Sequence, residues 1–190
     1  SRLKLLNTFH DRCEQLGVKL RFGVDITNLD QLEIEKQDVV IAGDGITSMI
    51  RERYKDQFGT TLDWRGNRFC WLATTLPLDS FVFIFRENEF GWWWVHAYRY
   101  EEGMATWIVE CSDETWKRSG MDKASEDETR KYMESVFKDD LKGHALITNR
   151  SLWRAFPVVR NERLCHKNMV LLGDSGRSAH FSIGSGTKLA

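Results

Sequence analysis

The chain has 190 residues, 42% of them hydrophobic and 29% charged, with a formal net charge of −1. That is the composition of an ordinary soluble globular protein, long enough for one good core and about one and a half domains. So balanced a charge offers no electrostatic footprint for nucleic acid or for an anionic membrane surface.

Eight Trp and eleven Phe are many for this length. Flat apolar rings fill cores and line pockets for flat ligands, so an aromatic small molecule fits this composition. Cys13, Cys70, Cys111 and Cys165 are scattered, with no CxxC and no Cys/His pair at ligand spacing. Reduced structural thiols are expected, and no metal. The N-terminal SRLKLLNTFHDRCEQLG lacks the apolar run of a signal peptide, and no stretch approaches the roughly eighteen apolar residues of a membrane span. A cytoplasmic protein without membrane or nucleic-acid partners is the expectation.

In chain order, Ser1 to Leu16 reads as a helix. Leu3, Leu6, Phe9 or His10, Cys13 and Leu16 recur at three- and four-residue steps, with Ser1 as N-cap and Gly17 as the stop. Val18 to Phe22 alternates as a strand should. The apolar run Val39-Val40-Ile41-Ala42 then ends in Gly43-Asp44-Gly45, and a helix is expected from Ile46 to Tyr54. This helix–strand–strand–helix order belongs to a nucleotide-binding α/β layer, yet no GxGxxG occurs anywhere in the chain.

From Phe58 the character changes. Four aromatic and β-branched runs (69–73, 81–85, 92–100 and 104–111) are separated by charged or glycine-containing turns, including Arg65-Gly66-Asn67-Arg68. That spacing predicts an antiparallel meander. Within the third run Trp93, Val95, Ala97 and Arg99 share one face, expected to pack the core. Trp92, Trp94, His96, Tyr98 and Tyr100 share the other, a polar-tipped aromatic face suited to line a cavity.

Ser112 to Trp116 reads as an N-cap with a short helix. Ser125 to Leu141 reads as an amphipathic helix opened by a Ser125/Glu128 capping box. A strand from Leu152 to Val158 and a charged link from Arg160 to His166 lead to the buried strand Met169 to Leu172. That strand ends in Gly173-Asp174, placing a carboxylate at its carboxyl end, where α/β sheets bind ligands. The closing Gly184-Ser185-Gly186-Thr187 has the form of a helix entrance, whose free N–H groups attract electron-rich partners. Together these features suggest a nucleotide cofactor.

The stretch GDSGRSAHFSIGSGTKLA resembles the second flavin-contacting motif of the single-component FAD-dependent aromatic hydroxylases, the para-hydroxybenzoate hydroxylase-like family. Its wording is nearest to the branch acting on aromatic acyl-CoA thioesters such as salicylyl-CoA and 2-aminobenzoyl-CoA. The run DVVIAGDGITSMIRERY is similar to the same family's DGxxSxxR motif, with Asp44, Gly45, Ser48 and Arg51 at the family spacing. Ser1-Arg2-Leu3-Lys4-Leu5-Leu6 matches its SRxxLL pattern.

The resemblance implies that Arg2, Asp44, Gly45, Arg51, Gly173, Asp174, Gly184, Ser185, Gly186 and Thr187 serve FAD. It also implies that His96, Tyr98 and His180 are candidates for substrate or flavin contacts. The implied activity is a monooxygenase that uses NAD(P)H and O₂ to hydroxylate an aromatic ring. The implied fold is α/β (α+β): a partial FAD-binding layer over 1–58, a β-sheet and helix substrate domain over 59–160, and a return to the FAD-binding layer over 161–190.

Two departures stand out. The family commonly reads GDAAHTAHF where this chain has Ser175-Gly176-Arg177-Ser178, a change expected to disturb the loop. The ADP-binding half is also missing, so the chain reads as an internal piece of a monooxygenase, expected to bind flavin poorly alone. The alternative reading is a non-catalytic domain that binds an aromatic ligand or a partner chain.

Overall fold

The computed structural model describes residues 2–180. Helix α1 (Arg2–Gln15) is followed by irregular chain and two short 3-10 turns, then β1 (Val40–Ala42), α2 (Met49–Arg53) and α3 (Lys55–Phe58). Strands β2 (Thr60–Thr74), β3 (Val82–Asn88), β4 (Gly91–Glu101) and β5 (Met104–Ser112) come next, then α4 (Asp113–Arg118), α5 (Glu126–Val136) and α6 (Lys138–Leu141). The described chain closes with β6 (Leu146–Ile147), β7 (Arg154–Asn161), β8 (Cys165–His166) and β9 (Met169–Leu171).

These strands make two sheets. The smaller runs β1-β9-β8, with β1 and β9 parallel and paired Val40 to Met169 and Ala42 to Leu171. Both parallel strands deliver a Gly-Asp turn at the same end. The larger sheet is antiparallel, in the order β3-β4-β5-β2-β6, with β7 also on β2. Hairpins join β3, β4 and β5 as the aromatic runs predict. However, β2 lies beside β5 rather than beside its sequence neighbour β3.

Each sheet carries its own core. Trp93, Val95 and Ala97 on β4 join Trp107, Val109 and Cys111 on β5 and Met133 on α5 in one cluster. Ile34, Ala42, Ile50, Phe58, Met169 and Leu171 form the other, beneath the small sheet. The face of β4 expected inside is inside as far as Ala97; Arg99 is exposed. The Ser125/Glu128 capping box opens α5 as predicted.

Four elements differ from the sequence reading. Val18 to Phe22 forms no strand: alternation alone does not make one, and this segment pairs with neither sheet. Arg65-Gly66-Asn67-Arg68 is not a turn between strands. It lies inside β2, where the register against β7 shifts between Trp64 and Arg68 as a bulge. The helix expected from Ile46 starts at Met49, since Asp44 and Ser48 both accept hydrogen bonds from its first turn. The helix expected to run to Leu141 breaks at Phe137, which is fully buried and opens a separate turn.

Among the described residues, no helix is long and apolar enough to cross a membrane, and no group of three metal-ligating side chains comes together.

Candidate functional site

The site begins with the two Gly-Asp turns at the carboxyl ends of β1 and β9. Gly45 has φ +80, and a side chain there would meet nothing within 4 Å. The turn therefore needs glycine for its backbone conformation and leaves open space beside it. The exposed Asp44 accepts a hydrogen bond from the Met49 N–H at 2.8 Å, so its carboxylate starts α2. Gly173 has φ +65, and Asp174 beyond it is exposed.

Arg51, which the resemblance assigns to FAD, faces inward. It is 2% exposed, and its guanidinium donates to the carbonyls of Ile46, Asp174 and Ser175. Burial pulls its pKa below the ordinary value, with Asp44 and Glu52 acting in the other direction. Arg51 is thus the clasp between the two turns.

The unusual Ser175-Gly176-Arg177-Ser178 run does not disturb the loop. The Ser175 hydroxyl lies 2.7 Å from the Leu172 carbonyl, and the Leu172 N–H in turn donates to Ala42 of β1. Gly176 packs so closely that a Cβ would stand 3.2 Å from the Leu171 carbonyl oxygen. The Ser178 hydroxyl accepts from the Val159 N–H at 2.8 Å and donates to the Pro157 carbonyl at 2.9 Å. Ser175 and Ser178 therefore fasten the loop to the two sheets, and Arg177 is exposed.

Between this loop and the aromatic face of the large sheet lies a cavity of about 1010 Å³. Phe83, Phe85 and Trp94 give it an aromatic wall, while Arg65, Arg160 and Arg177 bring positive charge to its lining. His180 lines it from the loop side. His96 lies just below the same sheet face, 2% exposed. Tyr98 is covered by Phe81, whose ring stacks on it at 5.5 Å, and it does not line the cavity.

The residue that sequence reasoning missed is Glu110. It lines the cavity from β5 while 2% exposed, with one carboxyl oxygen 3.4 Å from His96 Nδ1 and the other 3.6 Å from His180 Nε2. Burial pushes its carboxyl up to about 7. Burial, then the neighbouring His180, pushes His96 down to about 4. Both neutral forms are favoured, so near pH 6 this is an acid beside an imidazole and not an ion pair. The signal was one carboxylate in the apolar run Trp107-Ile108-Val109-Glu110-Cys111.

These shifts set a pH dependence. Between the ordinary carboxyl value of 4.5 and about 7, folded Glu110 holds a proton that the unfolded chain has lost, so stability falls with rising pH. Between about 4 and 6.5, the unfolded chain holds a proton that folded His96 refuses, so stability rises with pH. The slopes oppose each other over pH 4.5–6.5. Glu110→Gln removes one of them. Its urea-unfolding free energy should then climb by about 2 kcal/mol from pH 4.5 to 6.5, at about 1.4 kcal/mol per pH unit for one proton. A profile as flat as the wild type's would refute this account.

Arg2 as a cofactor contact, and Gly184, Ser185, Gly186 and Thr187, lie outside what the structure describes of side chains and of the chain beyond residue 180.

No protein-family model matches the chain. Among curated proteins it is 34% identical, over all of its own length, to salicyloyl-CoA 5-hydroxylase of a Streptomyces species. It is 32% identical over its whole length both to protodeoxyviolaceinate monooxygenase of Chromobacterium violaceum and to 3-hydroxy-4-methyl-anthranilyl-[aryl-carrier protein] 5-monooxygenase of Streptosporangium sibiricum. The curated homologues of this chain are thus salicyloyl-CoA 5-hydroxylase and related aryl monooxygenases.

The chain spans 38%, 51% and 49% of those three relatives, about half their length or less. Its fold matches 80% of its length to CmlS, a flavin-dependent halogenase, with a TM-score of 0.57 at 16% identity. It matches PqsL, a probable FAD-dependent monooxygenase from Pseudomonas aeruginosa, with a TM-score of 0.54 at 18% identity. The match covers 28% of the first and 42% of the second. At these identities the likeness is one of fold: a mixed α+β piece with antiparallel sheet.

Proposed function

We propose that this chain supplies the substrate-facing sheet and part of the flavin site of an FAD-dependent monooxygenase acting on an aromatic ring, with NAD(P)H and O₂ as co-substrates. The observation that carries it is the cavity: an aromatic-walled space bounded on one side by the Gly173–His180 loop and on the other by β3, β4 and β5. Relatives named for aryl hydroxylation support the reaction class.

The residues present fit a flavin. Asp174 leaves an exposed carboxylate at the carboxyl end of a parallel strand, placed to accept hydrogen bonds from a polyhydroxylated chain. Gly45 leaves open space beside the neighbouring turn. FAD supplies the redox chemistry, and the protein supplies binding, orientation and exclusion of water. Arg51 and Ser175 hold the loop that carries Asp174. Phe83, Phe85 and Trp94 hold a flat ring by contact, and the arginines of the lining suit an anionic tail such as that of an acyl-CoA thioester.

The test is FAD titration followed by flavin fluorescence, on the 190-residue chain and on the longer protein that has the relatives' full length. Asp174→Ala should weaken FAD binding tenfold or more while leaving the urea-unfolding free energy within about 0.5 kcal/mol of wild type, because the side chain is exposed. Equal affinities would remove Asp174 from the site. No flavin binding by either protein would reject the flavoenzyme reading and favour a ligand-binding domain.

A further inference from the structure

The sheet face that walls the aromatic cavity carries a second cavity, of about 580 Å³, at its other end. That size suits a small molecule. Phe69, Trp71 and Ala73 line it from β2, and Phe69 stands opposite Glu110 of the first cavity. The two cavities therefore adjoin along one face, and neither the flavin nor the aromatic ring of the proposed reaction calls for the second.

Its lining combines large rings with positive charge. Trp71 is 47% exposed and Tyr100 is 44% exposed. Arg150 and Arg154 bring two guanidinium groups to the same space. Arg154 on β7 pairs in register with Phe69 on β2, so both side chains rise from one face of the sheet. Neither arginine has a carboxylate at ion-pair distance among the described residues, whereas Arg68, Arg86 and Arg130 are each held by one.

Arg150 is also held in a costly conformation. Its φ of +54 lies in the left-handed region that residues with a Cβ avoid. The buried Ser151 beside it fixes the loop. Its N–H donates to the Glu126 carboxylate of α5 at 2.8 Å, and its hydroxyl donates to the Trp71 carbonyl of β2 and accepts from the Asn149 N–H. A strained residue pinned between a helix and a strand is a common way to hold a ligand-binding side chain in place.

We propose that this second cavity binds an adenosine phosphate, with Trp71 and Tyr100 against the base and the planar forks of Arg150 and Arg154 on the phosphate. An inorganic anion would use the arginines alone, and an aromatic hydrocarbon the rings alone. A nucleotide uses both. Two kinds of ligand carry this group: the nucleotide end of a coenzyme A thioester whose ring lies in the adjoining cavity, and a nicotinamide dinucleotide. The inference goes beyond the flavin reading, and its test needs no flavin.

The experiment is an NMR titration of the 190-residue chain with AMP, adenosine and inorganic phosphate, following the indole N–H signals. AMP should bind about tenfold more tightly than either fragment and should shift the Trp71 signal. Arg150→Gln and Arg154→Gln should each weaken AMP about tenfold and leave adenosine unchanged. Arg99→Gln, which removes an exposed charge outside the cavity, should change neither. Arg150→Gly should lose the same AMP affinity while unfolding at no lower a urea concentration, because glycine relieves the left-handed backbone. Displacement of AMP by benzoyl-CoA, with the Trp94 signal also moving, supports the site and assigns it to a thioester. Displacement by NADPH with Trp94 unmoved supports it and assigns it to the dinucleotide. AMP affinity unchanged in both glutamine variants, or no AMP binding by wild type, overturns the proposal and leaves the first cavity and its flavin reading standing.

Discussion

Replacing Arg51 with alanine should cost about 3–5 kcal/mol of stability, among the largest single effects available in this protein. The side chain is buried, and its guanidinium serves the carbonyls of Ile46, Asp174 and Ser175. Its removal leaves those acceptors facing a void, each with a desolvation penalty of about 1–3 kcal/mol where water cannot enter. Arg51→Lys should recover little, because an ammonium on a flexible stem cannot serve three carbonyls from one planar fork. Urea unfolding of the two variants is the measurement. A loss below about 1 kcal/mol for alanine would mean that the two Gly-Asp turns hold together without their clasp. The same variant should also lose flavin affinity, since the loop it anchors carries Asp174.

Trp107→Ala should cost about 3–5 kcal/mol by emptying the centre of the larger core. Trp107 is fully buried on β5, with its ring edge-on to Phe137 at 5.8 Å between centroids. Its indole N–H finds no hydrogen-bond partner among the described residues. Trp107→Phe should therefore cost less than half as much: the smaller ring leaves a gap but also removes a buried, unsatisfied donor. Thermal unfolding of both variants separates the contributions. Equal losses would mean that the volume kept by phenylalanine does not offset the cost, and would refute this account.

Much of this arrangement is legible in the sequence because local rules and the fold agree. The alternation along β4 assigns Trp93, Val95 and Ala97 to the core, and the Ser125/Glu128 pair marks the start of α5. The two Gly-Asp turns are readable as strand ends. Long-range pairing is not readable in the same way. Nothing local says that β2 lies beside β5, or that Arg65-Gly66-Asn67-Arg68 is a bulge inside a strand and not a turn between two.

The site misreadings share one cause: a polar residue's job depends on what the fold packs around it. Arg51 at a helix start reads as a cofactor-binding residue, yet the second turn folds over it. Glu110 in an apolar run reads as an ordinary strand residue, yet the topology sets an imidazole on either side of it. The Ser175-Gly176 change reads as damage, yet both residues fit the space between β1 and β9.

The pairing of β1 with β9 also dictates an order of events during synthesis. Among the described residues strand β1 pairs only with β9, which is made after the entire larger sheet and its helices. At about 5–20 residues per second, β1 must wait several seconds with an open edge and exposed Val39 and Ile41. The antiparallel sheet, whose hairpins β3-β4-β5 close locally, can be complete before then. The small sheet thus closes after the larger one, and the two Gly-Asp turns meet only after the cavity wall opposite them has already taken shape.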